Sequence, residues 1–416
     1  MSLNPVRGTH DLLPDQQRIH SWIIHKAARL SQCYGFEPID TPIFEFTEVF
    51  KRTLGESSDV VNKQMYTFPD NSGEEMTLRP EGTAGIARAF ISNGLQRQTP
   101  LKYYYHGPMF RYERPQKGRQ RQFHQFGVEL IGVEFPQADI EVIALGYSIL
   151  SSLKVMDSTT LEINTIGDSE SRQAYKSRLV SYLEKYVSDL SEDSQRRLKI
   201  NPLRILDSKD EGDQKIVAGA PDFRDSLNSA SKDFFDRVQQ GLTNLGIQYH
   251  LNSRLVRGLD YYSHCVFEFK SSALGAQDAI LSGGRYDGLI ELMGGKPTPG
   301  VGWAAGMERL ALLIQPEIKV TRPIALIPLG DTAQMEMEKL AFQLRMEGVP
   351  VEMSYSGNLK KRLARATKAQ ASHAVIIGES ELENGQAVVK DLDQHTQQEL
   401  PLSQTLSSLI TAYRSK

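Results

Sequence analysis

The chain has 416 residues, 40% of them hydrophobic and 24% charged, with a formal net charge of -3. That length predicts roughly two or three domains, and a charge so near balance excludes a global basic field, so any polyanion must be held by local patches. Cys33 and Cys265 form no C-x-x-C pair, the nine histidines show no H-E-x-x-H spacing, and neither a secretory leader nor a membrane-spanning run is present, so a cytoplasmic protein without structural zinc is expected.

From Gln17 to Tyr34 the apolar residues Ile19, Trp22, Ile23, Ala27 and Leu30 recur at helical spacing and predict an amphipathic helix that stops before Gly35. Residues 36–45 are extended, and Pro38 and Pro42 keep them out of the middle of a regular ladder, which suits an edge or an interface. Strands are expected around 65–68, 75–78, 101–112 and 122–132; without long helices between most of them, an antiparallel sheet follows. Within this stretch, Arg79-Pro80-Glu81-Gly82-Thr83 sets a carboxylate and a hydroxyl in a turn entering a helix over 84–90. The pair could receive an ammonium group, and it could equally serve as a plain helix cap.

Between the last two of those strands, Arg111, Arg114, Lys117, Arg119 and Arg121 accompany a single acid, Glu113, around a turn marked by Pro115 and Gly118. A guanidinium in an aromatic-rich strand keeps its charge and presents a planar fork to phosphate or carboxylate. Arg111 therefore needs an anion, whereas Lys117 and Arg119 also fit a solvated hairpin tip. Past the turn, Gln125, Gly127 and Glu129 share one strand face, either lining a polar pocket or facing water. Asp139 is read as the N-cap of a helix through Leu150, and 159–163 as a strand.

The charged helical stretch 169–245 reads as an insertion, with strands resuming at 247–251 and 265–269. In Arg257-Gly258-Leu259-Asp260-Tyr261-Tyr262 a buried Arg257-Asp260 pair is as good an explanation as a ligand. Glycines at 283, 284 and 288, and again at 300, 302 and 306, are read as turns, the second opening an apolar helix at Met307-Glu308-Arg309 from which Arg309 could reach phosphate. Gly300-x-Gly302-x-x-Ala305 formally matches a dinucleotide fingerprint, but no βαβ unit follows it, and no P-loop run exists. Residues 324–377 then alternate strand, helix, strand, helix, strand, the order of a small, mostly parallel α/β domain. Its helix from Leu359 carries Lys360, Lys361, Arg362, Arg365 and Lys368 without an acid, either a phosphate-contacting or a solvated face.

Together, Thr77 to Thr83, Phe110 to Arg119, Arg257 to Tyr262, Gly283-Gly284-Arg285-Tyr286-Asp287-Gly288 and Gly306-Met307-Glu308-Arg309 resemble the bacterial histidyl-tRNA synthetases, of class II, over nearly the whole chain. The resemblance implies an α+β fold, with a class II antiparallel sheet flanked by helices in a catalytic domain at 1–320, a helical insertion at about 169–245, and an anticodon-binding α/β domain at 323–416. It implies activation of L-histidine by ATP to histidyl-adenylate and pyrophosphate, transfer to the 3′ terminal adenosine of tRNA(His), Mg2+ carried on the ATP, and a homodimer formed through the segment around Pro42.

Carried over residue by residue, the resemblance makes Arg111 and Arg257 catalytic and gives ATP to Arg111, Glu113, Arg121 and Arg309. It gives histidine to Glu81, Thr83, Arg111, Gln125, Glu129, Arg257, Tyr261, Tyr262 and Tyr286, with Glu129 and Tyr262 on the two imidazole nitrogens. Contacts to tRNA would come from Gln116, Lys117, Arg119, Lys360, Lys361, Arg362 and Arg365. Gln120 departs from the aromatic residue often found there, which leaves that contact open. The alternative is a histidine-sensing regulatory paralogue of an ATP phosphoribosyltransferase complex, which typically lacks the anticodon module and the catalytic arginines; this sequence has both.

Overall fold

The computed structural model describes residues 3–55, 60–256, 261–275, 278–316, 318 and 320–415. The chain divides into two compact units, 1–316 and 317–416.

In the first unit an eight-stranded sheet runs from edge to edge through Glu37–Pro38, Leu101–Phe110, Gln122–Ile131, Gly300–Gly306, Ala279–Arg285, Ser263–Ser271, Thr159–Thr165 and His250–Leu251. The inner strands pair antiparallel; the two short outermost ones are parallel to their neighbours. Side-chain alternation separates the faces. From Gln122–Ile131, residues Phe126, Val128 and Leu130 enter a core with Ile23 and Ala27 of helix Pro14–Cys33, Val142 and Leu145 of helix Pro136–Ser152, and Val238 and Leu242 of helix Ser229–Asn244. On the opposite face Tyr105, Met109, Val266 and Tyr286 pack with Ile86 and Phe90 of helix Thr83–Ser92. Each large apolar side chain fully buried in this way contributes about 1.5–3 kcal/mol.

Several expectations are corrected by this arrangement. The helix expected from Asp139 begins at Pro136, because proline suits the first helical position, where no N–H is needed. Asp139 is instead wholly buried and grips Arg285, itself wholly buried. Arg285 also donates to Asp287 at 3.1 Å and to the carbonyls of Val133 and Phe135 at 2.9 and 3.2 Å. Desolvation works against its charge, but the two carboxylates prevail and hold the guanidinium firmly cationic.

The glycines read as turns at 283–284 and 300–306 lie in strands. They are small because the sheet's other side chains need the room. A Cβ on Gly302 would overlap the Glu129 carboxylate directly across the ladder, and one on Gly284 would lie 2.9 Å from the Tyr262 ring.

The insertion is built of helices Ser169–Leu183, Glu192–Ile200, Glu211–Val217 and Ser229–Asn244, each started by a side-chain cap from Asp168, Ser191, Asp210 or Asn228 that accepts from orphan backbone donors. The strand expected at 247–251 shrinks to His250–Leu251. A separate three-stranded sheet, Phe44–Phe46, Glu75–Leu78 and Tyr66–Pro69, leaves Phe44, Phe46 and Phe68 exposed.

The second unit holds a five-stranded sheet in which Val351–Met353, Ile324–Pro328 and His373–Ile377 are parallel, as the alternation predicts. Gln386–Asp391 and Thr396–Pro401 extend it antiparallel, and helix Leu402–Arg414 packs onto it. Among the described residues no helix is long and apolar enough to cross a membrane.

Candidate active site

A cavity of about 220 Å³ opens on the sheet face that carries Gln125, and its lining draws on every motif found in the sequence: Glu81 and Thr83, Arg111 and Glu113, Gln125, Tyr261 and Tyr262, Tyr286, and Arg309. Arg257 and Asp260 lie outside the described residues. The cavity has two chemically distinct ends.

One end is a set of buried phenols and carboxylates. Glu129, 1% exposed, receives the Thr83 hydroxyl at 2.7 Å and the Tyr286 hydroxyl at 2.5 Å. Burial pushes its carboxyl up to about 8; the two hydroxyl donors pull against that shift and Glu81 adds to it. Tyr105, Tyr261 and Tyr286 are driven well above the ordinary phenol range, first by burial and then by neighbouring carboxylates or phenols, so all three keep their protons. Tyr261 and Tyr262 lie with ring centroids 4.7 Å apart, and Tyr261 meets Tyr286 edge-on at 6.0 Å. Tyr286, given to histidine by the resemblance, also holds the Glu129 carboxylate.

Glu81 caps the helix Thr83–Ser92, its two oxygens accepting from the backbone N–H groups of Thr83 and Ala84 at 2.8 Å each. The turn is thus a helix cap, and the capped carboxylate also lines the cavity. Burial raises Glu81 above its ordinary value against those two donors. The Gln125 side-chain oxygen is buried without a hydrogen-bond partner among the described residues. Such a group calls for a donor supplied by a ligand, since leaving it unmet costs about 1–3 kcal/mol.

The other end is cationic. Arg111 packs over Phe123, 5.4 Å from the ring centroid, and donates from Nε to the Pro80 carbonyl at 2.8 Å; its terminal nitrogens have no acceptor among the described residues. Arg309 donates to the Ala279 carbonyl at 2.6 Å and to the Gly118 carbonyl at 3.2 Å. Gly118 adopts a left-handed φ of 72°, which a glycine allows without strain. Burial, then the nearby Arg119 and to a lesser degree Arg111, lowers the proton affinity of Arg309, opposed by Glu113 and Glu268.

Placement departs from expectation at the basic loop. Arg119, assigned to tRNA, lines the cavity and makes a forked pair with Glu113, which raises its proton affinity. Arg121, assigned to the nucleotide, stacks 3.9 Å over the Tyr112 ring and does not line the cavity. Gln116 and Lys117 remain exposed at the tip. In the second unit Arg362 turns inward, donating to the carbonyls of Gly357 at 2.7 Å, Ser354 at 3.2 Å and Pro328. Arg365 stays exposed while pairing with Glu352 at 3.0 Å, and Lys360 and Lys361 are exposed as well.

Sequence reasoning missed Tyr105. Its ring occupies the space that a Cβ at Gly82 or Gly127 would fill, beneath the polar end. Its pairing with Gly127 across the hairpin was the available signal, and it required the register.

Comparison with known proteins supplies the family. The profile of the family described as histidyl-tRNA synthetase matches residues 8–310, and that of an anticodon binding domain matches residues 324–411. A histidine--tRNA ligase of Rhodospirillum rubrum is 56% identical over 97% of this chain and 97% of its own length. A crystal structure of apo S. aureus histidyl-tRNA synthetase superposes with a TM-score of 0.83 at 34% identity, covering 98% of this chain and 100% of that one. An ATP phosphoribosyltransferase regulatory subunit/histidyl-tRNA synthetase from Bacillus halodurans superposes at 0.65 with 23% identity, over 91% of this chain and 98% of that one, a likeness of fold alone.

Proposed function

The chain belongs to the histidyl-tRNA synthetase family, and we propose that the cavity performs that family's reaction with the residues placed around it. The protein is a histidine--tRNA ligase: it joins L-histidine to ATP's α-phosphate, releasing pyrophosphate, and passes the histidyl group to the 3′ terminal adenosine of tRNA(His). The observation that carries the assignment of roles is the polarity of one cavity, with arginines 111, 119 and 309 at one end and Glu81, Thr83 and Tyr286 at the other, the two hydroxyls bracing the buried Glu129 carboxylate behind the lining.

In the first step a carboxylate oxygen of histidine attacks the α-phosphorus and the bond to pyrophosphate breaks. Arg111, with free terminal nitrogens, bridges the attacking carboxylate and the α-phosphate; Arg309 holds the distal phosphate, and Arg119, tied to Glu113, adds charge. Arg257 is assigned to the α-phosphate by family likeness. Preorganised cations of this kind act on charge that develops in the transition state, each worth on the order of a few kcal/mol. Glu81 and Gln125 receive the histidine ammonium. Glu129, oriented by Thr83 and Tyr286, accepts the N–H of one imidazole nitrogen, and Tyr262 meets the other.

Of the cavity's carboxylates, Glu81 is engaged with backbone donors and Glu113 with Arg119. Mg2+ accordingly enters as part of its complex with ATP, held through the phosphates. Lys117 at the loop tip and Lys360 and Lys361 of the second unit are the proposed tRNA contacts. Exposed Ile43, Phe44, Phe46 and Phe68 form the face proposed for a homodimer around Pro42, and the cytoplasm is the proposed location.

The test is exchange of labelled pyrophosphate into ATP, measured with each amino acid in turn. Histidine alone supports exchange. Histidine binding without exchange by a folded protein would select the regulatory paralogue instead.

A further inference from the structure

Helix Pro14–Cys33, strand Gln122–Ile131 and helix Met307–Leu313 bring together His20, His124 and Glu308, the last of which also lines the reaction cavity, one ligating atom of each lying within 4.8 Å of the others. His20 is 4% exposed. Its ring meets His124 edge-on, centroids 5.5 Å apart, and no hydrogen bond to it is found among the described residues. The ring lines a second cavity, of about 630 Å³, shared with Asp40, Pro42, Ile43, Arg79 and His124, so it opens beside the face proposed for the homodimer. The His20 ring nitrogens reach that cavity rather than being sealed off, so they are open to water or to a ligand.

The other two groups are already oriented. The Glu308 carboxylate accepts from the His124 backbone N–H at 2.9 and 3.0 Å, and one of its oxygens lies 2.9 Å from His124 Nδ1. A carboxylate held in this way fixes the direction of the imidazole beside it.

We propose that His20, His124 and Glu308 form a binding site for a first-row divalent cation of the zinc type, completed by water from the adjoining cavity. Two imidazoles and a carboxylate are donors that zinc and cobalt prefer and magnesium does not. Bonds of about 2.0–2.2 Å put tetrahedral donors roughly 3.5 Å apart, so closing the site requires side-chain shifts of about 1 Å. The expectation of no zinc rested on local spacing, and these donors are scattered over most of the first unit. A cation here would link the N-terminal helix to His124 and Glu308, the immediate neighbours of Gln125 and Arg309, without entering the reaction.

Purified full-length protein, stripped with a chelator, is titrated with Zn2+ against a chromophoric competitor, with excess Mg2+ present throughout. The expected result is saturation at one Zn2+ per chain, weakened at least about tenfold in His20→Phe, while histidine-dependent pyrophosphate exchange by that variant is retained. Co2+ should give the visible absorption of a four-coordinate nitrogen and oxygen site in the wild type and lose it in His20→Phe. No stoichiometric binding by the wild type, or equal affinity in the variant, overturns the proposal. Should His20→Phe not fold, the Co2+ spectrum of the wild type decides: four-coordinate bands support the site, and the spectrum of hexaaqua ion alone overturns it.

Discussion

Glu129 illustrates how a single side chain acquires its chemistry from its surroundings. Folded, it keeps its proton up to about pH 8, whereas the unfolded carboxyl releases it near 4.5. Between those values the unfolded chain binds fewer protons than the native one, so stability falls as pH rises, by up to about 1.4 kcal/mol per pH unit. Glu129→Gln removes that slope: its melting temperature relative to the wild type should climb from about pH 5 to about pH 8. Parallel curves would show that Glu129 titrates normally. Glu129→Ala, which removes the acceptor altogether, should raise KM for histidine by about tenfold or more and leave KM for ATP nearly unchanged, since only the proposed imidazole contact is lost.

At the level of elements, the cationic helix Leu359–Lys368 separates groups that look alike in sequence. Arg362 satisfies carbonyls of its own unit, so Arg362→Ala should lower the melting temperature by the equivalent of about 1–3 kcal/mol. Lys360→Ala with Lys361→Ala should leave melting alone, weaken tRNA binding and flatten its salt dependence. Reversal of the two outcomes would reassign the helix. Helices and hairpin strands were legible because period 3.6 and period 2 show in one dimension, as at Ile19 to Leu30 and 101–110. The glycine strands were not, because Gly302 and Gly284 answer to Glu129 and Tyr262 from distant segments, and local propensity favours a turn. The arginine, glutamate and tyrosine motifs around the cavity were visible as types in a row. Which arginine turns inward was not, since Arg119 and Arg121 differ only in the partners that folding supplies, Glu113 for one and Tyr112 for the other.

For the whole molecule, every buried residue of the first two cores lies at or before Ile314 and every buried residue of the others at or after Ile324. Cores that share no residues predict units that fold separately. A fragment ending at Pro316 should retain cooperative melting and histidine-dependent pyrophosphate exchange while losing most tRNA charging, as read by acid-precipitable labelled histidine; loss of exchange in a folded fragment would mean that the second unit supports the first step. The sheet adds one more property. The chain has only two tryptophans, Trp22 and Trp303, and Trp303, in a strand that borders the reaction cavity, turns its indole into the opposite core, pinned to the Val142 carbonyl at 2.9 Å. An immobilised fluorophore in that core, among few others, makes the unlabelled polypeptide its own optical gauge of whether the layer beneath the chamber stays packed.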